Sequence, residues 1–176
     1  MGRYKAISRF AVLAGNLLCQ CYGKFLHEDF QMLKNSTVDQ FMTYSPHTIN
    51  SGLPIKTARQ LMKKYKVRHL PVQLAGHLVG VITDRDLKFA SSFDKEGQML
   101  VDDIMTPDPY AVPTGTPLGK VVEKMATNLY GCTVVQRNDG RVIGIFTALD
   151  GLRAIGDTIN ASKRKAPKAK RKAGLK

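Results

Sequence analysis

Ile55, Ala58, Met62 and Tyr65 recur at three- and four-residue spacing, which predicts an amphipathic helix from Pro54 to about Lys66. Leu118, Val121, Met125 and Leu129 make a second such stripe. Thr116 reads as its cap, with Pro117 at the first helical position, where a missing N–H does no harm. Residues 70–74 and 78–83 are β-rich runs separated by Ala75-Gly76. Residues 133–137 and 142–147 repeat that arrangement around Asn138-Asp139-Gly140, so two hairpins are expected. Thr83 and Thr147 end these strands, and helices follow. Thr37 reads as the cap of a turn reaching Met42, with Gln40 as its capping-box partner. Residues 47–50 read as a short extended segment and residues 91–98 as a polar linker.

These elements occur in two copies. Val38, Asp39, Met42, Thr43 and Pro46 match Val101, Asp102, Met105, Thr106 and Pro109. Gly52, Pro54 and Met62 match Gly115, Pro117 and Met125. After one inserted residue near Asn138, Gly76, Gly80, Thr83 and Asp86 match Gly140, Gly144, Thr147 and Asp150. A self-match of this kind is one supersecondary unit used twice, each too small to bury a good core alone. The two halves are therefore expected to pack about an approximate two-fold axis. The organisation read from this is an N-terminal extension over 1–33, repeats over 34–92 and 99–160, and a basic tail over 161–176.

Composition changes the picture mainly at the termini. The net charge is +13, and residues 162–176 supply eight cations and no acid, leaving +5 for everything else. Lysine and arginine alternating with alanine and proline cannot build a core, so this tail is expected to be disordered. The N-terminal extension begins with Arg3, Lys5 and Arg9 before an apolar stretch over 10–21. Gly15, Asn16 and Gln20 interrupt that stretch, which favours an extra helix or a loosely attached arm over a cleaved leader. Three cysteines (Cys19, Cys21, Cys132) argue for a reducing, cytoplasmic compartment rather than a disulfide framework. No apolar run is long enough to span a bilayer.

The order Met-Thr, extended segment, helix, Leu-Pro-Val strand, Gly-x-x-x-Gly-x-x-Thr and an Asp three residues later resembles the CBS domain, and its tandem copy resembles a Bateman module. The resemblance covers residues 35–160. It implies an α/β (α+β) fold of two βαββα-type units with pseudo-two-fold symmetry and two clefts at their interface. It also implies a homodimer, and adenosine compounds (AMP, ADP, ATP or S-adenosylmethionine) in the clefts.

The residues supply a chemistry for this. A threonine ending a strand and an aspartate one helical turn later point to one place, where a carboxylate can accept from both hydroxyls of a ribose. Each such charge-assisted bond contributes ~1.5–3 kcal/mol. The Thr hydroxyl and the first N–H groups of the helix favour an anionic phosphate. The positions are Thr83 with Asp86, and Thr147 with Asp150. The same pattern is also an ordinary helix cap. By resemblance, adenine walls match Thr43, His47, Thr48, Val67 and Val81 in one repeat, and Thr106, Tyr110, Ala111, Tyr130 and Ile145 in the other.

The copies differ where phosphate would lie. Arg68, His69 and Arg85 stand in the first repeat; Gly131, Cys132 and Ala148-Leu149 take their places in the second. Unequal binding is expected. No nucleophile–base pair, phosphate loop or metal-ligand spacing stands out, and the four histidines fit no zinc pattern. Cys19-x-Cys21 reads as a buried or idle thiol pair. The chain thus reads as a stand-alone, non-catalytic sensor that signals to an effector protein. The alternative is a nucleic-acid-associated protein with the repeats as a dimerising scaffold and Lys163, Arg164, Lys165, Lys168, Lys170, Arg171 and Lys172 as the binding segment.

Overall fold

The computed structural model describes residue 31 and residues 33–94 and 97–165, with side chains as far as residue 161. The expectations for the N-terminal extension, Cys19 and Cys21, and the end of the basic tail lie outside these residues. Residues Ser36–Leu152 form one compact unit; the described residues before Ser36 and after Leu152 belong to a second. In the second unit the described structure is helical, with Asn35 N–H donating to the Gln31 carbonyl and Thr158 Oγ1 to that of Ala154.

After a 3-10 turn at Val38–Gln40, the first repeat runs β1 (Thr43–Tyr44), β2 (Ile49–Asn50), α1 (Ile55–Tyr65), β3 (His69–Leu74), β4 (His77–Thr83) and α2 (Asp84–Ala90). The second runs β5 (Thr106–Pro107), β6 (Ala111–Pro113), α3 (Leu118–Thr127), β7 (Cys132–Gln136), β8 (Val142–Thr147) and α4 (Ala148–Lys165). Helix α4 thus continues past Asn160 into the segment read as tail.

Ile55, Ala58 and Met62 turn inward from α1 and meet Leu70, Val72 and Ile82 from the sheet and Leu87 from α2 in one core. In the second repeat Leu118, Val121, Met125, Val134, Val135 and Phe146 are buried in the same manner. Each hairpin is a β-ladder with a register shift, between Val72 and Gln73 and between Val135 and Gln136. Ala75 and Gly76 both have positive φ (49° and 85°), the geometry that a two-residue hairpin needs to match strand twist.

The sheet order is β2-β3-β4-β5 in one sheet and β6-β7-β8-β1 in the other. The two-residue strand after each Met therefore leaves its own repeat and closes the other repeat's sheet. Thr43 pairs with Ile145 and Tyr44 with Gly144; Thr106 pairs with Val81 and Pro107 with Gly80. The exchange is reciprocal down to single bonds. Val38 N–H donates to Thr116 O and Val101 N–H to Leu53 O, each at 2.9 Å. No periodicity announces a two-residue strand, and the sequence pattern did not show this crossing.

Four local expectations are corrected. Thr37 has extended backbone before the 3-10 turn but makes no side-chain cap, because three residues of 3-10 helix leave few orphan donors to satisfy. Pro117, not Thr116, is the N-cap of α3; Thr116 Oγ1 instead donates to Pro113 O at 2.7 Å and closes the preceding turn. Leu129 is no part of the buried stripe: α3 ends at Thr127, and the chain turns through Leu129 with φ +57°, leaving it 92% exposed. Tyr65 likewise ends α1 exposed, beside Lys66 at φ 55°.

Candidate functional site

The two Thr–Asp pairs fold into the same construction. Thr83 ends β4 and is the N-cap of α2. Its N–H and Oγ1 both donate to Asp86 Oδ2, at 2.8 and 2.7 Å, and its Oγ1 accepts from Asp86 N–H at 3.3 Å. In the second repeat Thr147 N–H and Oγ1 donate to Asp150 Oδ2 at 2.9 and 2.7 Å, with the return bond at 3.4 Å. The geometry is that of the helix-cap reading: each pair is a capping box. Asp86 keeps Oδ1 without a hydrogen bond among the described residues, a spare acceptor on a half-buried, helix-held carboxylate.

His69 begins β3 opposite Thr83, and its surroundings reach into both repeats. A Cβ on Gly131 would stand 3.2 Å from His69 Nε2, so the missing side chain in the second repeat makes room for this ring. Burial and then Arg68 push the imidazole below its ordinary pKa, while the carboxylates of Asp86 and Asp150 pull it upward. One histidine therefore feels the carboxylates of both repeats. Its counterpart Cys132 packs with Val81 and Ile145, and burial raises its thiol to about 11, which keeps it protonated and unreactive at neutral pH.

This makes a pH dependence. An unfolded His69 takes up a proton near 6.5 that the folded ring resists, so His69 costs stability as pH falls below 6.5 and costs nothing well above it. Denaturant titrations at pH 7.5 and 5.5 should show His69→Gln losing less stability on acidification than the parent. Equal losses would remove His69 from the acid limb.

The remaining sequence-derived positions divide. Thr43 lies beside Ile145 and Thr106 beside Val81, so these positions come together across the repeats rather than within one. His47 stacks on Tyr65, centroids 3.5 Å apart at 20°. Tyr110 and Tyr130 tilt together at 5.7 Å, with Lys124 Nζ 4.7 Å from the Tyr110 ring. Thr48, Val67 and Ala111 are half-buried, Val67 against the first core. Arg68 and Arg85 are exposed, and the Arg68 carbonyl accepts from Asp84 N–H at 3.0 Å beside the Thr83 cap. A groove of about 440 Å³ touches Tyr110, Val112, Thr116, Lys120 and Lys124, away from either Thr–Asp pair. The sequence reading missed Tyr65 and Lys124 as ring partners, and also Asp39, whose Oδ2 accepts from Gly115 N–H at 2.6 Å. Among the described residues, no cluster of three or more His, Cys, Asp or Glu could hold a metal, and no helix is long and apolar enough to cross a membrane.

The model of the CBS domain matches residues 38–92 and again 101–157. The chain belongs to the CBS-domain family. It is 34% identical over 113 residues to the inosine-5'-monophosphate dehydrogenase of Korarchaeum cryptofilum, a stretch that is 64% of this chain and 23% of that enzyme. The chain spans about a quarter of the length of the first curated relatives it matches. Among solved structures, the CBS domain pair of protein MJ0100, in complex with 5-methylthioadenosine and S-adenosyl-L-methionine, superposes with TM-score 0.64 at 28% identity, covering 69% of this chain and 97% of that one. CBSX2 of Arabidopsis thaliana in complex with AMP gives 0.60 at 30%, covering 69% and 96%. The CBS pair is thus a mixed α/β fold built from two copies of one unit.

Proposed function

We propose that this CBS pair is a regulatory, non-catalytic module that binds an adenosine nucleotide in clefts beside its two Thr–Asp pairs. The observation that carries the reading is the shared capping-box geometry of Thr83–Asp86 and Thr147–Asp150, each holding a carboxylate in the first turn of a helix, half-buried at Asp86 and buried at Asp150. The adenosine ligands of MJ0100 and CBSX2 support the ligand class. Thr43, His47, Thr48, Val67 and Val81, with Thr106, Tyr110, Ala111, Tyr130 and Ile145, form the proposed walls. His47 and Tyr110 each have a ring partner to release before adenine enters. The ligand acts by binding one packing of the repeats more tightly than another. The signal passes to an effector protein in the cytoplasm, from a homodimer for which exposed Phe89 and Leu152 offer apolar contact.

Arg68, His69 and Arg85 give the first repeat a phosphate-binding set that Gly131, Cys132, Ala148 and Leu149 do not reproduce. Calorimetric titration with AMP is expected to resolve two unequal sites. Arg68→Gln with Arg85→Gln should weaken the tighter one, and adenosine should bind it less well than AMP. Two equal, independent sites would refute the asymmetry; absence of heat with AMP, ADP, ATP and S-adenosylmethionine would refute the nucleotide reading.

A second reading rests on the eight cations and no acid of residues 162–176: the tail holds nucleic acid while the CBS pair serves as scaffold. Counterion release would make that binding fall steeply with salt.

A further inference from the structure

Between Asp39 and Asp84 the chain has no acidic residue, yet Lys56, Arg59, Lys63, Lys64, Lys66 and Arg68 crowd into α1 and the turn after it. These six cations and the eight of residues 162–176 together exceed the whole net charge of +13, so the rest of the chain stands at −1. All six are exposed. None forms an ion pair among the described residues, whereas Lys88 pairs with Asp84 and Arg141 with Asp139.

The fold does not require this. The equivalent helix α3 mixes Lys120 and Lys124 with Glu123. Lys63 and Lys64 do complement the C-terminal end of the α1 dipole, but Lys56 sits in the first turn, where a cation is unfavourable and where α1 has no acid. Arg59 and Lys63, four residues apart, repel. With Ile55, Ala58 and Met62 spent on the core, the outward stripe Lys56–Arg59–Lys63 runs ~10 Å along the helix, with Lys64 beside it. Arg59 Nη2 donates to Leu87 O at 3.2 Å, which fixes one member of the row. A membrane-surface helix needs an apolar face to insert, and that face is buried here. Tyr65, the aromatic on this helix, is stacked on His47 and so is not offered to a base.

We propose that the outward face of α1 binds the phosphate backbone of nucleic acid without reading its sequence. This extends the second reading from the tail to the folded body, and it stands independently of the nucleotide clefts.

The test is fluorescence anisotropy of a labelled 20-base-pair DNA duplex of mixed sequence, titrated with the full chain across a range of NaCl concentrations. The combined variant Lys56→Gln, Lys63→Gln, Lys64→Gln is expected to bind about a hundredfold more weakly at 0.1 M salt. Its log–log salt slope should be shallower by about 2–3, at roughly 0.9 for each phosphate that is no longer neutralised. Circular dichroism should show both proteins equally folded, since the three lysines are exposed. Lys120→Gln with Lys124→Gln on α3 should leave the slope unchanged. Equal slopes for the α1 variant and the parent would overturn the proposal and leave the tail as the binder. An equal loss in the α3 variant would overturn it as well. So would a parent chain that ignores the duplex but binds vesicles of 30% phosphatidylserine, which would make the face a membrane contact.

Discussion

Gly80→Val is expected to destabilise the CBS pair by about 3 kcal/mol, the upper range for inserting bulk into a packed site. For a protein of this size that is a fall of roughly 10 °C in Tm. A Cβ on Gly80 would lie 2.9 Å from Met105 Cγ and 3.0 Å from the Thr106 carbonyl oxygen. The methionine could swing aside. The carbonyl belongs to the β4–β5 pairing, where Gly80 faces Pro107 and Val81 faces Thr106, and cannot move without unpairing the exchanged strand. The second copy repeats the arrangement, since a Cβ on Gly144 would meet Met42 Cγ at 3.0 Å. Met-Thr in one repeat and the second glycine of Gly-x-x-x-Gly in the other are thus two halves of one contact. Adding Met105→Ala to Gly80→Val should recover part of the loss, and a double-mutant cycle by urea unfolding would measure that coupling. A loss below about 1 kcal/mol for the single variant would mean that the interface yields.

The second large effect concerns the carboxylates. A nucleotide present at a hundred times its Kd and bound only by the folded state adds about 2.7 kcal/mol. In Asp86→Asn that stabilisation is expected to fall away through a ~10- to 100-fold loss of affinity, the equivalent of one charge-assisted bond. Asparagine is the informative substitution because its carbonyl oxygen can still accept from Thr83 N–H and Oγ1 and so preserve the cap. Alanine removes the cap as well, at about 1 kcal/mol, and confounds the two roles. Thermal unfolding of the parent, Asp86→Asn and Asp150→Asn, each with and without AMP, separates them. A lower Tm without nucleotide but an undiminished AMP shift would make the aspartates structural only.

The elements that announce themselves in the sequence are those with a period or a cap. The α1 stripe, both hairpins and both Thr–Asp pairs could be read directly, because each obeys a rule spanning fewer than a dozen residues. What stayed hidden depends on contacts between separate elements, 102 residues apart for Thr43 and Ile145 and 62 for His69 and Gly131. Nothing at Thr43-Tyr44 says that its partner is Ile145-Gly144, and nothing at Gly131 says that a histidine of the other repeat fills its space. Leu129 misled because the helical period continues past the point where the backbone turns left-handed. The ring partners of His47 and Tyr110 were missed for the same reason as the strand crossing: side-chain neighbours between elements leave no mark on local pattern.

The reciprocal crossing of β1 and β5 is what a single repeat would make with a second copy of itself across a two-fold axis. Written on one chain, that operator no longer binds the two copies to change together. A residue at the axis can mutate in one copy and meet an unaltered partner in the other. His69 against Gly131, with Cys132 where the second histidine would stand, is such a broken symmetry. Tandem fusion of this kind lets a protein keep a dimer's architecture while giving its two equivalent positions separate tasks.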